Sequence, residues 1–259
     1  MKKFLLFLFL TGSVCLLGLG GCQLFQYWDE SRQSNEVYSG LDEYVQRPDT
    51  TPDTNLHSLP SPNDEDASIL IPDIDFESLQ KINPDVVGWL YCEGTPINYP
   101  VVQGEDNSYY LKHLFDGAYN ANGCLFLDSR VSNDFSEAHS IIYGHHMKNG
   151  TMFSSLDGYK RQEYYEAHPD LLLITPGQAY LVNLFSGYVA SVEDHAWDVG
   201  FQDEIELEEW LSAAEERSCF ESGISPSTAD RILTLSTCSY EFDNARFVVL
   251  GILKPVAKD

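Results

Sequence analysis

Eight short runs of apolar, β-branched or aromatic residues punctuate the chain, at 86–91, 97–102, 124–127, 140–143, 171–175, 179–190, 232–237 and 247–253. Turn formers such as Pro176-Gly177 separate them, which is the pattern of β-strands. Many short strands in one domain predict a mainly β fold and a closed or nearly closed barrel, since closure removes exposed sheet edges. Helical patterns interrupt the strands. Residues 75–82 read as a short helix ended by Asn83-Pro84. Residues 151–165 read as one or two more, with Phe153, Leu156 and Tyr159 apolar. The long helix is 203–219, where Leu207, Trp210, Leu211 and Ala214 fall at i, i+3, i+4 and i+7 in one stripe. Glu204, Glu206, Glu208 and Glu209 suit the positive end of its dipole.

Upstream the composition changes. Lys2 and Lys3 precede an uncharged apolar run over 4–21, and Asp29 and Glu30 follow it. That run is at the lower edge of bilayer-spanning length, and the basic flank places it N-terminus inside. An uncleaved signal-anchor fits best. A lipoprotein signal is the second reading, because Leu19-Gly20-Gly21-Cys22 resembles a lipobox with Cys22 as the lipidated residue. A cleaved signal peptide is the third, without a clear cleavage site. Each puts the bulk of the chain outside the cytoplasm. Residues 24–45 read as a juxtamembrane helix. Residues 47–68, rich in Pro, Asp, Ser, Thr and Asn, read as a solvated tether able to hold a domain clear of the membrane. The expected division is 1–23 anchor or signal, 24–68 helix and tether, and 69–259 one catalytic domain.

Charge and cysteine usage narrow the function classes. Fifteen Lys and Arg against 40 Asp and Glu give a net charge of −25, which repels phosphate backbones and argues against a nucleic-acid partner. Six Cys without a C-x-x-C spacing disfavour both a disulfide-stapled mini-domain and a zinc ribbon.

Cys238 ends a strand pattern and Arg246 begins the next, with Asp243-Asn244 as turn formers between them. If the two strands form a hairpin, Cys238 and Arg246 sit side by side. Period-two alternation then puts Thr234 and Ser236 on the Cys238 face. A guanidinium beside a thiol favours the thiolate; an inert Cys near a surface Arg is the alternative. A nucleophilic thiol also wants an imidazole. His145 and His146 follow a strand and Gly144, which lets the backbone turn. They could equally be exposed loop histidines, or join His139 in a metal site, although no metal-ligand spacing supports the latter. Asn149-Gly150-Thr151 fits a glycosylation sequon but reads better as a turn leading to a Thr151 cap.

Taken together, these strings resemble the sortases. Thr-Leu-Ser-Thr-Cys238 followed by Arg246 resembles the T-L-x-T-C…R signature. Tyr-Gly-His145-His146-Met-Lys-Asn-Gly-Thr-Met-Phe resembles the histidine motif of the class B branch. The blocks from Asn83 to Trp89, from Ile97 to Gln103 and from Asp106 to His113 are similar to class B as well. The resemblance spans about 75–255. It implies an eight-stranded β-barrel with peripheral helices and a membrane-anchored cysteine transpeptidase. Such an enzyme cleaves a C-terminal sorting signal of secreted proteins at a threonyl carbonyl and joins the acyl group to an amine of a peptidoglycan precursor. Matched residue by residue, Cys238 is the nucleophile, His145 the acid/base and Arg246 the substrate and oxyanion stabiliser, with Ser236 and Thr237 against the substrate. The scheme needs no metal or organic cofactor. A cysteine hydrolase with the same site, a pilin-polymerising sortase and a non-catalytic surface lipoprotein are the alternatives. Cys22, Cys92 and Cys124 depart from the family pattern.

Overall fold

The structure, a computed structural model, describes residues 2–46 and 70–257. In chain order the helices and strands are α1 (Lys2–Gly40), β1 (Val45–Gln46), β2 (Asp73–Ile74), α2 (Phe76–Ile82), β3 (Val86–Tyr91), β4 (Asn98–Val102), β5 (Leu125–Leu127), β6 (His139–Tyr143), α3 (Gln162–Ala167), β7 (Asp170–Ile174), β8 (Ala179–Ser191), α4 (Glu204–Glu216), β9 (Ile232–Cys238) and β10 (Ala245–Val256). Strands β3 to β10 close a barrel in the order β10-β8-β7-β3-β4-β5-β6-β9. Neighbours are antiparallel except β4 with β5 and β6 with β9. The eight predicted runs thus become the eight staves.

Strand β10 is apolar on both faces, and β9 joins it at its Ile232 end, for a visible reason. Leu233, Leu235, Phe247 and Val249 fill the barrel interior. Ile232, Val248, Leu250 and Ile252 face outward, beneath the Leu207, Trp210, Leu211 and Ala214 stripe of α4. Burying each large apolar side chain contributes about 1.5–3 kcal/mol. The Asp203 carboxylate caps α4, accepting from the Ile205 and Glu206 amides at 3.0 Å each. Asp75 caps α2 in the same way through Ser78 N at 2.9 Å. The 151–165 region splits into a 3-10 stretch, Phe153–Lys160, and α3. Thr151 does not cap it. Instead the Asn149 side-chain oxygen accepts from both the amide and the hydroxyl of Thr151, and the chain enters the 3-10 stretch through Met152 at φ 55°.

The N-terminal helix is not free of the barrel. Helix α1 is continuous, and its last turns lie on the barrel. Ser34 is buried. Asn120 Nδ2 donates to Glu30 O at 2.9 Å, and Tyr38 Oη donates to Gly123 O at 2.6 Å. About 12 Å of helix rise separates Cys22 from Glu30. Strand β1 then pairs with β2, Val45 opposite Ile74 and Gln46 opposite Asp73. The Pro- and Asp-rich segment itself lies outside the described residues, but the residues flanking it sit side by side. Among the described residues, no helix is long and apolar enough to cross a membrane.

Candidate active site

The β9–β10 hairpin sets the site. Its register places Cys238 directly opposite Arg246, with Ser236 opposite Val248. The connecting loop closes through Ala245 N to Phe242 O at 3.1 Å and Ser239 N to Ala245 O at 3.0 Å. Asn244 takes φ 62° there, a conformation Asn tolerates better than most residues. Arg246 Nη1 donates to Ala245 O at 2.9 Å, and among the described residues the guanidinium makes no ion pair with a carboxylate. Its remaining donors are available to a ligand.

His145 reaches the same cleft from β6, which runs parallel to β9 with Tyr143 opposite Ser236. Two hydrogen bonds fix this junction. Gly144 N donates to Ser236 O at 3.1 Å, and Thr237 Oγ1 donates to Gly144 O at 2.8 Å. Gly144 is required by space rather than by φ. A Cβ there would lie 2.5 Å from Leu125 Cδ2 and 2.6 Å from Phe153 Cδ2. Nε2 of His145 is 2.8 Å from the carbonyl of Leu111. A carbonyl can only accept, so Nε2 carries hydrogen and Nδ1 is the nitrogen left to meet a ligand. Cys238, His145, Arg246, Ser236 and Thr237 all line one cleft of about 360 Å³, walled by Leu111, Val192 and Trp197. A larger cleft of about 660 Å³, beside Asp85 and Arg231 at the far barrel end, has no Cys or His in its lining.

Ser236 and Thr237 contribute differently from a pair of free hydroxyls. Thr237 holds Gly144, and Ser236 Oγ accepts from Trp197 Nε1 at 3.0 Å. His146 and His139 are held elsewhere. His146 Nε2 meets Asp157 Oδ2 at 2.7 Å, outside the cleft lining. His139 is fully buried between the Asp198 carbonyl and Thr234 Oγ1, and burial holds its imidazole down at about 4. His139, His145 and His146 thus have three separate sets of partners. Cys92 and Cys124 are unpaired and buried, and burial pushes their thiols up to about 11 and about 12, so neither competes as a nucleophile.

Asp128, Leu111 and Trp197 have no sequence signature that would mark them. Asp128 is fully buried. Burial pushes its carboxyl up, but hydrogen bonds from the Arg130 side chain and amide, from Tyr143 and from Asn107 outweigh that and hold it at about 2. Arg130 grips it at 2.9 and 2.7 Å and also donates to Trp197 O at 3.0 Å. Tyr143 Oη donates to it at 2.8 Å, one residue before Gly144. Asp128 therefore ties the histidine strand to the Trp197 wall. Its depressed pKa contributes stability that is present above about pH 4 and lost as pH falls through about 2, worth about 2 kcal/mol. Urea unfolding of Asp128→Asn against the parent should show that gap at pH 7 and little difference near pH 2. A gap constant across this range would mean that Asp128 is not the linked group.

The chain matches no protein-family model. It is 35% identical to sortase B of Listeria monocytogenes over 181 residues, 69% of this chain and 74% of that one. The chain belongs to the sortase B family. The crystal structure of Staphylococcus aureus sortase B superposes with a TM-score of 0.67 at 34% identity, covering 70% of this chain and 87% of that one. Sortase B has also been solved as an S. aureus enzyme–substrate complex and as a complex with triglycine, each at 34% identity to this chain and TM-score 0.67, covering 70% of this chain and 85% and 86% of those chains. Sortases are cysteine transpeptidases, and this chain is an enzyme of that kind.

Proposed function

We propose that this sortase cleaves a C-terminal sorting signal of secreted proteins and transfers the acyl group to an amine of a peptidoglycan precursor. It does so held at the membrane through its N-terminal segment. The observation that carries the reading is the Cys238–Arg246 cross-strand pair sharing one cleft with His145. The Cys238 thiolate attacks the threonyl carbonyl. Charge develops on the carbonyl oxygen, and Arg246 donates a charge-assisted hydrogen bond to it. His145, protonated at Nδ1, delivers that proton to the departing amine as the peptide bond breaks. A thioester remains on Cys238. The incoming amine attacks it, His145 Nδ1 takes the proton, and the thiolate leaves. The sortase B complex with triglycine, a peptide that carries a free amine, supports an amine as acceptor. The membrane part rests on Lys2, Lys3, the uncharged run at 4–21 and Cys22.

Product analysis tests the reading. A sorting-signal peptide supplied with triglycine should give the ligated amide. Hydrolysis alone, at every amine concentration, would make the enzyme a cysteine hydrolase instead. Arg246→Lys keeps the charge but loses the planar fork, and should lower kcat/KM by about 10-fold or more, about 1.4 kcal/mol. An unchanged rate would remove Arg246 from the transition state.

A further inference from the structure

The catalytic assignment of His145 leaves open what holds its ring. Leu111, whose carbonyl anchors Nε2, sits in a turn framed by two backbone hydrogen bonds. Cys124 N donates to Tyr110 O at 3.0 Å, and Asn120 N donates to Lys112 O at 2.9 Å. They clamp the residues on either side of Leu111. The clamping segment, 120–124, is the part of the barrel that α1 grips. Asn120 Nδ2 donates to Glu30 O at 2.9 Å and to Gln33 Oε1 at 3.1 Å, and Tyr38 Oη donates to Gly123 O. Gly123 cannot shift to compensate. It holds φ 60° with its backbone against Tyr110 and Leu111, where an added Cβ would lie 2.5 Å from Tyr110 O.

The same helix reaches the other side of His145. Asn149 Nδ2 donates to Ser31 Oγ at 2.7 Å. The Tyr38 ring stacks edge-on against Tyr99 at 5.3 Å, and Tyr99 Oη accepts from Met152 N at 3.2 Å. Phe153 N in turn donates to His145 O at 3.0 Å. The loop carrying His145 and the loop carrying its carbonyl anchor are thus joined through one helix face, Glu30 to Tyr38.

We infer that the C-terminal half of α1 is a positioning brace for His145, with Tyr38 as its central residue; this rests on His145 being the acid/base. Tyr38 touches neither the cleft nor any reacting atom. Its effect runs through Gly123 and Tyr99 to the two loops. The segment that precedes the barrel in sequence therefore sets the acid/base geometry, and a disturbance of α1 near the membrane is read as a change in rate.

The test uses the full chain in detergent. Tyr38→Phe removes the hydroxyl bond to Gly123 and keeps the ring on Tyr99. Combined with Asn149→Ala it should lower kcat by about 10-fold with little change in KM, since an ångström-scale misplacement costs up to about 100-fold. The His145 ring titration, followed by NMR and assigned with His145→Ala, should shift together with the pH profile. Arg32→Ala, on the same helix but paired with Asp29, Glu36 and the Trp28 ring of that helix, should alter neither. A lower melting temperature with unchanged kcat and unchanged His145 titration would overturn the brace. Absence of acyl transfer in the parent enzyme would instead remove the catalytic reading, while the His145 titration would still report on the brace.

Discussion

Purified Cys238→Ala protein is expected to fold like the parent and to lose acyl transfer by at least about 10,000-fold, because removing the proposed nucleophile removes the covalent route. Folding should survive. Cys238 is the last, half-exposed residue of β9, and its register with Arg246 is made by backbone hydrogen bonds that Ala preserves. The parent enzyme should trap a thioester with a slow acceptor, visible by intact mass, and the variant should not. Alkylation mapping adds an independent check. The buried thiols of Cys92 and Cys124 should stay unlabelled in the native protein, and loss of activity should follow labelling at Cys238. Peptide cleavage at the parental rate by Cys238→Ala would sink the assignment.

Replacing each of the adjacent histidines should give opposite results. His145→Ala removes the group proposed to protonate the departing amine, and a drop of about 100- to 10,000-fold in kcat is expected. His146→Ala should retain most activity and lose about 1 kcal/mol of stability, since a single partly buried hydrogen bond is at stake. His146 belongs to a network outside the cleft. Asp157 also accepts from Lys160 at 2.8 Å, and Lys160 holds Ser239 Oγ at 3.1 Å and pairs with Glu241. Steady-state rates and urea titrations of both variants decide it. A dead His146→Ala enzyme with an active His145→Ala enzyme would invert the assignment.

The parts of this site that were legible in the sequence are those written in local patterns. Period-two alternation and a loop rich in turn formers foretell a hairpin, and a hairpin fixes Cys238 against Arg246. The 3.6-residue stripe of α4 is legible because Leu207, Trp210, Leu211 and Ala214 bury one continuous face. What escaped is non-local or made by the backbone. The carbonyl of Leu111 is chemically like every other carbonyl, so nothing in the residue type announces that it orients a ring 34 residues away. Asp128 looks like a strand-end turn residue until Arg130 and Tyr143 close on it. The role of Gly144 was visible but its cause was not, since close packing against Leu125 and Phe153 demands the glycine. The two-residue β1 and β2 are too short for any periodicity, and their pairing spans a segment whose composition alone suggests a spacer.

That pairing changes what proteolytic damage would do to the enzyme. A domain hanging on a tether is shed by one cut. Here the polypeptide between Gln46 and Asp73 can be severed while both sides stay attached. On one side α1 is gripped through Glu30, Ser31, Gln33 and Tyr38, and on the other β2 runs directly into α2 and the barrel. The nicked enzyme is a two-chain species held by the β1–β2 rungs, the helix contacts and the Asn98–Asp42 hydrogen bond. Parting the barrel from α1 needs a second event, either dissociation of the whole helix or a cut within it.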